Sequence, residues 1–73
     1  MIVTRDTVPQ LRDLLKQKRK GKRWSMAKMG QKIHCSFATV SQIERGVCGL
    51  KIETLADMCA ALGLEIEVRE VRG

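Results

Sequence analysis

The chain has 73 residues and 44% apolar side chains, which suits one small globular domain whose core is marginal on its own. One tryptophan, one phenylalanine and no tyrosine argue against an RNA-binding surface that stacks bases on aromatic rings. The net charge of +6 is unevenly distributed: residues 1–51 contain 12 basic and 3 acidic side chains, whereas residues 52–73 contain 2 basic and 5 acidic ones. This asymmetry favours a basic nucleic-acid-binding face over a merely solvated, lysine-rich surface.

Cysteine spacing and hydropathy narrow the class further. Among Cys35, Cys48 and Cys59, no pair has the two-residue spacing of a zinc or redox site. Cys35 and Cys59 fall at apolar positions of helical patterns, where a thiol serves as a small core side chain. No apolar run is long enough for a signal peptide or a membrane-spanning helix. We therefore expect a cytoplasmic protein with no membrane partner, no metal and no cofactor.

The first third of the chain predicts a short arm and a long helix. Residues 1–6 are mixed in character and predict a strand-like or loose arm. Thr7 and Gln10 stand at the spacing of a capping box, so helix 1 is expected to begin at Thr7. Gly21 is suited to end it, after an apolar stripe at helical spacing. That stripe consists of Leu11, Leu14 and Leu15.

A short second helix is predicted after Ser25, which serves as its N-terminal cap. Trp24 and Met29 flank this cap at the spacing of a hydrophobic staple. Gly30 lies in mid-helix, where glycine costs about 1 kcal/mol relative to alanine. We attribute it to a close approach by the next helix.

A tight turn and a third helix follow. His34 and Cys35 form the turn, Ser36 caps helix 3, and Gly46 ends it. Val40 and Ile43 are expected to point inward, which leaves other faces of the helix free for binding.

Helix 4 is predicted over residues 52–62, and Gly63 fits the left-handed position that follows a helix. Its apolar residues recur at helical spacing. The expected inward set is Ile52, Leu55, Ala56, Cys59 and Leu62.

Residues 64–69 alternate between apolar and polar side chains, which predicts a β-strand. Leu64, Ile66 and Val68 share one face and are expected to contribute to dimerisation. A strand needs a partner for its backbone groups, and the same strand of a second copy or residues 1–3 could supply one. Pairing of the same strand from two copies would give a two-fold symmetric dimer.

Residues 25–46 form two short helices around a tight turn, and the second helix ends in the string Ile-Glu-Arg-Gly. This segment resembles the helix-turn-helix of the Cro/CI-type (XRE) family of bacterial and phage repressors, and the match extends over residues 11–64. The resemblance implies an all-α, compact, lambda-repressor-like domain of four main helices, in which one helix braces another in the DNA major groove. The tail, residues 62–71, is similar to short HipB-type antitoxin repressors, in which a C-terminal strand takes part in dimerisation. We therefore expect a single domain over residues 1–73, with a dimerisation strand over residues 64–71.

Three positions depart from the family pattern. Met26 replaces a glutamine that grips a phosphate from the first residue of helix 2. His34 replaces the turn glycine and must either adopt a left-handed conformation or reshape the turn. Leu50 and Lys51 replace a Pro-Ser pair before helix 4.

The base-contacting residues implied by the resemblance lie at the start of helix 3 and one turn further on. Gln42 can form a bidentate pair with adenine, and Phe37 and Ala38 can contact a thymine methyl group, with Thr39 beside them. The alternatives are burial of Phe37 in the core and a solvated side chain for Gln42.

Contacts to the DNA backbone are expected from cations and from capping serines. Helix N-termini bind phosphate, so a serine can serve as both cap and contact, while Ser41 could equally bond its own helix. Glu44 is implied to turn inward and pair with Arg19, the alternative being a surface glutamate. The expected backbone contacts are Arg19, Lys22, Arg23, Ser25, Lys28, Ser36, Ser41, Arg45 and Lys51.

The sequence thus predicts a homodimeric, double-stranded-DNA-binding transcriptional regulator, most simply a repressor of a palindromic operator. One alternative is an antitoxin that binds a toxin protein and its own operator. Another is a protein-binding adaptor that no longer reads DNA. No catalytic residues are expected, because the single histidine has no serine or carboxylate arrangement that would make it a catalyst.

Overall fold

Four α-helices pack together in a computed structural model of the chain, which describes residues 2–47, 49–68 and 70. A single 3₁₀ turn precedes them, and no strand occurs within the described residues. The turn spans Arg5–Thr7, and the helices are α1 Val8–Gly21, α2 Met26–Ile33, α3 Phe37–Arg45 and α4 Ile52–Leu62. The predicted four-helix architecture is confirmed. Expectations for Met1, Cys48, Arg69 and Val71 lie outside the described residues.

Each helix contributes one fully buried side chain to the centre of the core. These four are Leu15 of α1, Met29 of α2, Val40 of α3 and Met58 of α4. Burying a side chain of this size contributes about 1.5–3 kcal/mol. The core therefore fixes the positions of α2 and α3 relative to the two helices behind them.

The N-terminal capping box lies one turn earlier than predicted. The Thr7 hydroxyl accepts a hydrogen bond from the Thr4 backbone N–H at 2.7 Å and donates one to the Ile2 carbonyl at 3.0 Å. Thr7 occupies the N-cap position of α1 but forms no side-chain cap bond to it, and α1 begins at Val8. The predicted Thr7–Gln10 box is wrong because the threonine hydroxyl is engaged upstream.

α1 ends at Gly21 as predicted, but the left-handed residue that follows the helix is an arginine rather than a glycine. Gly21 is the last helical residue, and Arg23 adopts φ 60°. The Arg23 N–H donates to the Lys20 carbonyl at 2.9 Å, and the Trp24 N–H donates to the Arg19 carbonyl at 3.2 Å. These two bonds form a Schellman motif, in which the left-handed position usually belongs to glycine.

The turn between α2 and α3 depends on Gly30 and His34. A Cβ atom on Gly30 would lie 2.5 Å from the Cys35 carbonyl oxygen, so only glycine allows the turn to pack this closely. The backbone thus approaches Gly30 closely, but the prediction that α3 makes this approach is wrong, because the turn residue Cys35 makes it. His34 adopts φ 58° and ψ 39°, the left-handed conformation that replacement of the turn glycine requires.

The buried face of α4 differs from the predicted one. Met58, Cys59 and Leu62 are buried, whereas Ile52 is 72% exposed and Ala56 is exposed as well. Together with half-buried Leu55, the buried residues follow an i, i+3, i+4, i+7 pattern. Ala56 lies at the edge of this stripe, whereas Ile52 is in line with it but is the first residue of the helix. Burial also raises the pKa of the Cys59 thiol above its ordinary value.

The predicted C-terminal strand is not formed in the described residues. Gly63 adopts φ 73° and ends α4, as expected, and the Leu64 N–H donates to the Cys59 carbonyl at 2.7 Å. Residues 64–68 then continue without regular structure. Half-buried Leu64 packs against the core, but Ile66 and Val68 are exposed. Within the described part of this single chain, no backbone segment pairs with the tail, and a strand is not stable without such pairing.

Candidate nucleic-acid interface

Serine caps set the start of both helices in the α2–turn–α3 unit. The Ser25 hydroxyl accepts a hydrogen bond from the Lys28 backbone N–H at 3.0 Å, and the Ser36 hydroxyl accepts one from the Thr39 N–H at 3.1 Å. Both predicted caps are confirmed, and both serines are exposed. The remaining N–H groups of each first turn carry the positive end of the helix dipole, which favours an anion such as a phosphate.

α3 has an inner face in the core and an outer face in solvent. Val40 and Ile43 are buried as predicted, whereas Phe37 is 58% exposed, so the alternative that places Phe37 in the core is wrong. Ala38 and Gln42 are also exposed. At 100° per residue, Phe37, Ala38 and Gln42 fall on one side of the helix. We call this side, together with Ser41 and Arg45, the outer face of α3.

Thr39 is not part of the outer face. It lies on the opposite edge of α3, is half-buried, and its hydroxyl is 3.0 Å from the Ser36 hydroxyl. The structure therefore brings together three of the four predicted base-contacting residues and places the fourth near the cap. Ser41 is on the outer face but half-buried, and Arg45 is exposed at its C-terminal end.

A buried ion pair braces α3 from behind. Arg19 Nε donates to Glu44 Oε2 at 2.6 Å, and Arg19 Nη2 donates to Glu44 Oε1 at 3.0 Å. The two side chains are only 7% and 3% exposed. Arg19 Nη1 also donates to the Trp24 carbonyl at 2.6 Å. The guanidinium of Arg19 therefore connects three parts of the chain, namely α1, the loop that precedes α2, and α3.

This geometry shows the implied Arg19–Glu44 pair and corrects the other role predicted for Arg19. Its guanidinium is held inside the protein by a bidentate bond to Glu44. Such a group cannot reach a DNA backbone without leaving an unpaired carboxylate in the interior, which is strongly destabilising. Arg19 is a support for α3 rather than a phosphate contact.

The other predicted cations lie on the surface. Lys22 and Arg23 are exposed in the turn before α2, Lys28 is exposed in its first turn, and Lys51 is exposed at the N-cap position of α4. Together with exposed Arg45 at the end of α3, they give this part of the surface a positive charge, which suits a polyanion.

One feature was missed by sequence reasoning. The ammonium groups of Lys22 and Lys32 lie over the indole ring of Trp24, at 5.3 and 5.4 Å from its centroid. Trp24 was predicted only as part of a hydrophobic staple. No periodic signal marks this contact, because Trp24 lies before the first residue of α2 and helical spacing does not apply to it.

One comparison with known proteins agrees with this geometry. A family model described as a helix-turn-helix domain matches residues 10–71, which is most of the chain. Comparison with curated proteins and with solved structures gave no match. Across residues 2–47, 49–68 and 70, no helix has the length and apolar character needed to cross a bilayer.

Proposed function

The chain belongs to the helix-turn-helix domain family, in its Cro/CI-like branch, and on that premise we propose that it is a sequence-specific DNA-binding transcriptional regulator. The observation that carries the proposal is the exposed outer face of α3, supported from behind by the buried Arg19–Glu44 pair. A helix that enters the major groove must present its side chains to solvent and keep its axis fixed. α3 meets both requirements.

Base recognition is assigned to three residues of the outer face. The Gln42 amide can donate to and accept from the edge of an adenine, and the Phe37 ring and Ala38 methyl can pack on a thymine methyl group. Exposed apolar side chains at the start of a reading helix gain free energy only when a partner covers them, and a major groove rich in thymine supplies that cover.

The cations around α3 are assigned to the DNA backbone. Lys22, Arg23, Lys28, Arg45 and Lys51 are exposed, and the capped N-termini of α2 and α3 offer backbone N–H groups. Each phosphate contact releases counterions, so affinity should fall steeply with salt. A flat salt dependence would contradict this assignment.

We further propose that the regulator acts as a homodimer and represses transcription by occluding polymerase. The alternation of Leu64, Ile66 and Val68 supports dimerisation, since the tail has no strand partner among the described residues and Ile66 and Val68 are exposed. A second copy would supply the missing backbone hydrogen bonds and cover these side chains. The proposal includes a cytoplasmic location and no catalytic activity.

Fluorescence anisotropy tests the proposal. A labelled duplex from the region upstream of the coding sequence is titrated with wild type, Gln42→Ala and the control Gln10→Ala, an exposed glutamine outside the two DNA-binding helices. Loss of one bidentate base contact is worth about 1–3 kcal/mol, so Gln42→Ala should bind about 5- to 150-fold more weakly while Gln10→Ala binds like wild type.

Two other outcomes would redirect the assignment. Equal, weak binding by all three proteins, with no preference over a scrambled duplex, would overturn DNA reading and favour the protein-binding adaptor. Specific DNA binding together with co-purification of the neighbouring gene product would assign the chain as an antitoxin. Sedimentation of the free protein as a monomer, with one chain per operator, would overturn the homodimer.

A further inference from the structure

Trp24 is the single tryptophan of the chain and lies between α1 and α2. It is half-buried, and part of its side chain packs against the hydrophobic core. Two lysine ammonium groups lie over its ring, one from the turn before the residue and one from the last turn of α2. The half-buried ring and the two ammonium groups within 5.4 Å of its centre form a group that we call the Trp24 cluster: Lys22, Trp24 and Lys32.

The backbone of Trp24 is fixed on both sides by a single residue. Its N–H donates to the Arg19 carbonyl at 3.2 Å, and its carbonyl accepts from Arg19 Nη1 at 2.6 Å. Because the same guanidinium pairs with Glu44 of α3, the position of the indole is tied to the position of the reading helix. The residue that holds the two cations is therefore anchored, through its backbone, to the helix that carries the outer face.

Two lysines in solution would not gather at one place, because their charges repel and their long side chains are flexible. The negative face of an indole offsets part of this repulsion and restricts the ammonium groups to its neighbourhood. The ring does not neutralise the positive charge of the ammonium groups. It also accepts no hydrogen bond from their N–H donors, of which each ammonium has three. A surface of this kind is complementary to an anion with several acceptor oxygens, and a phosphate of the DNA backbone is such an anion.

We propose that Trp24 is a positioning residue for DNA backbone binding: its indole gathers Lys22 and Lys32 into one phosphate-binding surface in fixed relation to α3. The proposal rests on the proposed function and assigns a contact to Lys32 as well as to Lys22. Trp24 acts through the two lysines and need not touch the DNA itself.

The first experiment measures whether the three residues act as a unit. Binding to a mixed-sequence 24-base-pair duplex is measured from low to moderate salt for wild type, Trp24→Leu, Trp24→Phe, Lys22→Gln and Lys32→Gln. The slope of log affinity against log salt is negative, and each lysine substitution should make it shallower by about 0.9. Trp24→Leu should make it shallower by a similar or larger amount. Trp24→Phe keeps a ring and should lie between wild type and Trp24→Leu.

Double substitutions distinguish positioning from stability. Combined with Trp24→Leu, the further effect of Lys22→Gln or Lys32→Gln should shrink to less than half of its value in wild type. The matched control is Lys28→Gln, which removes an exposed lysine of α2 that is not part of the Trp24 cluster; its effect should be the same with and without Trp24→Leu. A merely structural role for Trp24 would not produce selective coupling to two lysines.

A second experiment tests the geometry without DNA and without replacing Trp24. Because the chain has one tryptophan, its fluorescence reports on this residue alone. Ammonium groups over the ring should attract iodide, so that Lys22→Gln and Lys32→Gln reduce quenching by iodide but not by neutral acrylamide, while Lys28→Gln changes neither. Unchanged iodide quenching in both variants would overturn the cluster.

The failures of the two proposals are distinguishable. If wild type binds the duplex but Trp24→Leu leaves the salt slope unchanged, or if all double substitutions are additive, the positioning role is wrong and the proposed function stands. If wild type binds no duplex DNA at any salt concentration, the proposed function is wrong and the inference falls with it. If Trp24→Leu does not fold, Trp24→Phe and the lysine variants still decide the question.

Discussion

Replacing Arg23 with glycine is expected to stabilise the fold and to weaken DNA binding at the same time. Arg23 occupies the left-handed position after α1 with φ 60°, and its side chain is exposed beside Lys22. A residue with a Cβ atom is strained in this conformation, whereas glycine is not. An arginine at a position suited to glycine suggests that its charge is used for binding.

The size of the stability effect follows from two opposing terms. The left-handed conformation costs a non-glycine residue roughly 1–2 kcal/mol. Glycine removes this cost but makes the unfolded chain more flexible, which takes back about 0.5–1 kcal/mol. The net gain for Arg23→Gly is then about 0.5–1 kcal/mol, or about 2–8 °C in melting temperature for a domain of this size.

The size of the binding effect follows from counterion release. One phosphate contact changes log affinity by about 0.9 per unit of log salt, which amounts to about 5-fold at 0.15 M relative to 1 M. Arg23→Gly should therefore bind about 5-fold more weakly at about 0.15 M salt and approach wild type as the salt concentration rises.

Thermal unfolding and anisotropy titrations of wild type, Arg23→Gly and Arg23→Ala would test both effects. Arg23→Ala keeps a strained residue and removes the charge, so it should show the loss of affinity without the gain in stability. A glycine variant less stable than wild type would refute the strain argument. A glycine variant that binds DNA as tightly as wild type at every salt concentration would refute the role of Arg23 in binding.

Three further predictions concern the support behind α3 and the core. In urea unfolding, Gly30→Ala should destabilise the fold by about 1–3 kcal/mol, because its Cβ would meet a backbone carbonyl oxygen at 2.5 Å. The control is Gly21→Ala, which has open space around it and should be neutral or stabilise the fold by up to about 1 kcal/mol. Glu44→Gln should cost about 3 kcal/mol, because it leaves the buried guanidinium of Arg19 without its carboxylate; a cost below about 1 kcal/mol would contradict the buried pair. Burial raises the pKa of the Cys59 thiol above its ordinary value of about 9, so at higher pH the folded state keeps a proton that the unfolded state loses. In urea unfolding, the stability of wild type should therefore decline as the pH rises above about 9, and that of Cys59→Ala should decline less steeply.

Much of the helical framework could be predicted from local chemistry. Ser25 and Ser36 cap their helices because a serine hydroxyl satisfies an N–H group that has no partner within the helix, and this needs no distant contact. Gly63 follows the same local logic at the end of α4. The Arg19–Glu44 pair is not local, and it could be anticipated only from the resemblance to a family.

The sequence-based predictions were wrong where two local interactions compete for the same residue, or where the structure of a segment depends on a distant packing partner. Thr7 could cap α1 or join Thr4 in an earlier turn, and the hydroxyl cannot do both. Ile52 and Leu55 both begin plausible apolar stripes on α4, and only packing against the other three helices selects the one from Leu55. Periodicity predicts a strand in the tail but cannot supply the backbone that a strand must pair with.

The candidate site shows the same division. The sequence indicates which residues of α3 lie opposite Val40 and Ile43, and therefore which are free to read bases. It does not reveal that Lys22 and Lys32 meet at Trp24, because hydrophobic staples and cation–π contacts use the same residue type.

The most direct test of the account is an NMR titration of the ¹⁵N-labelled protein with the upstream duplex that binds it. The largest changes in amide shifts should occur on the outer face of α3, at Phe37, Ala38 and Gln42, and at the capped starts of α2 and α3. Amides of α3 that remain unchanged, while the exposed side of α4 around Ile52 and Ala56 responds, would contradict the claim that α3 reads DNA.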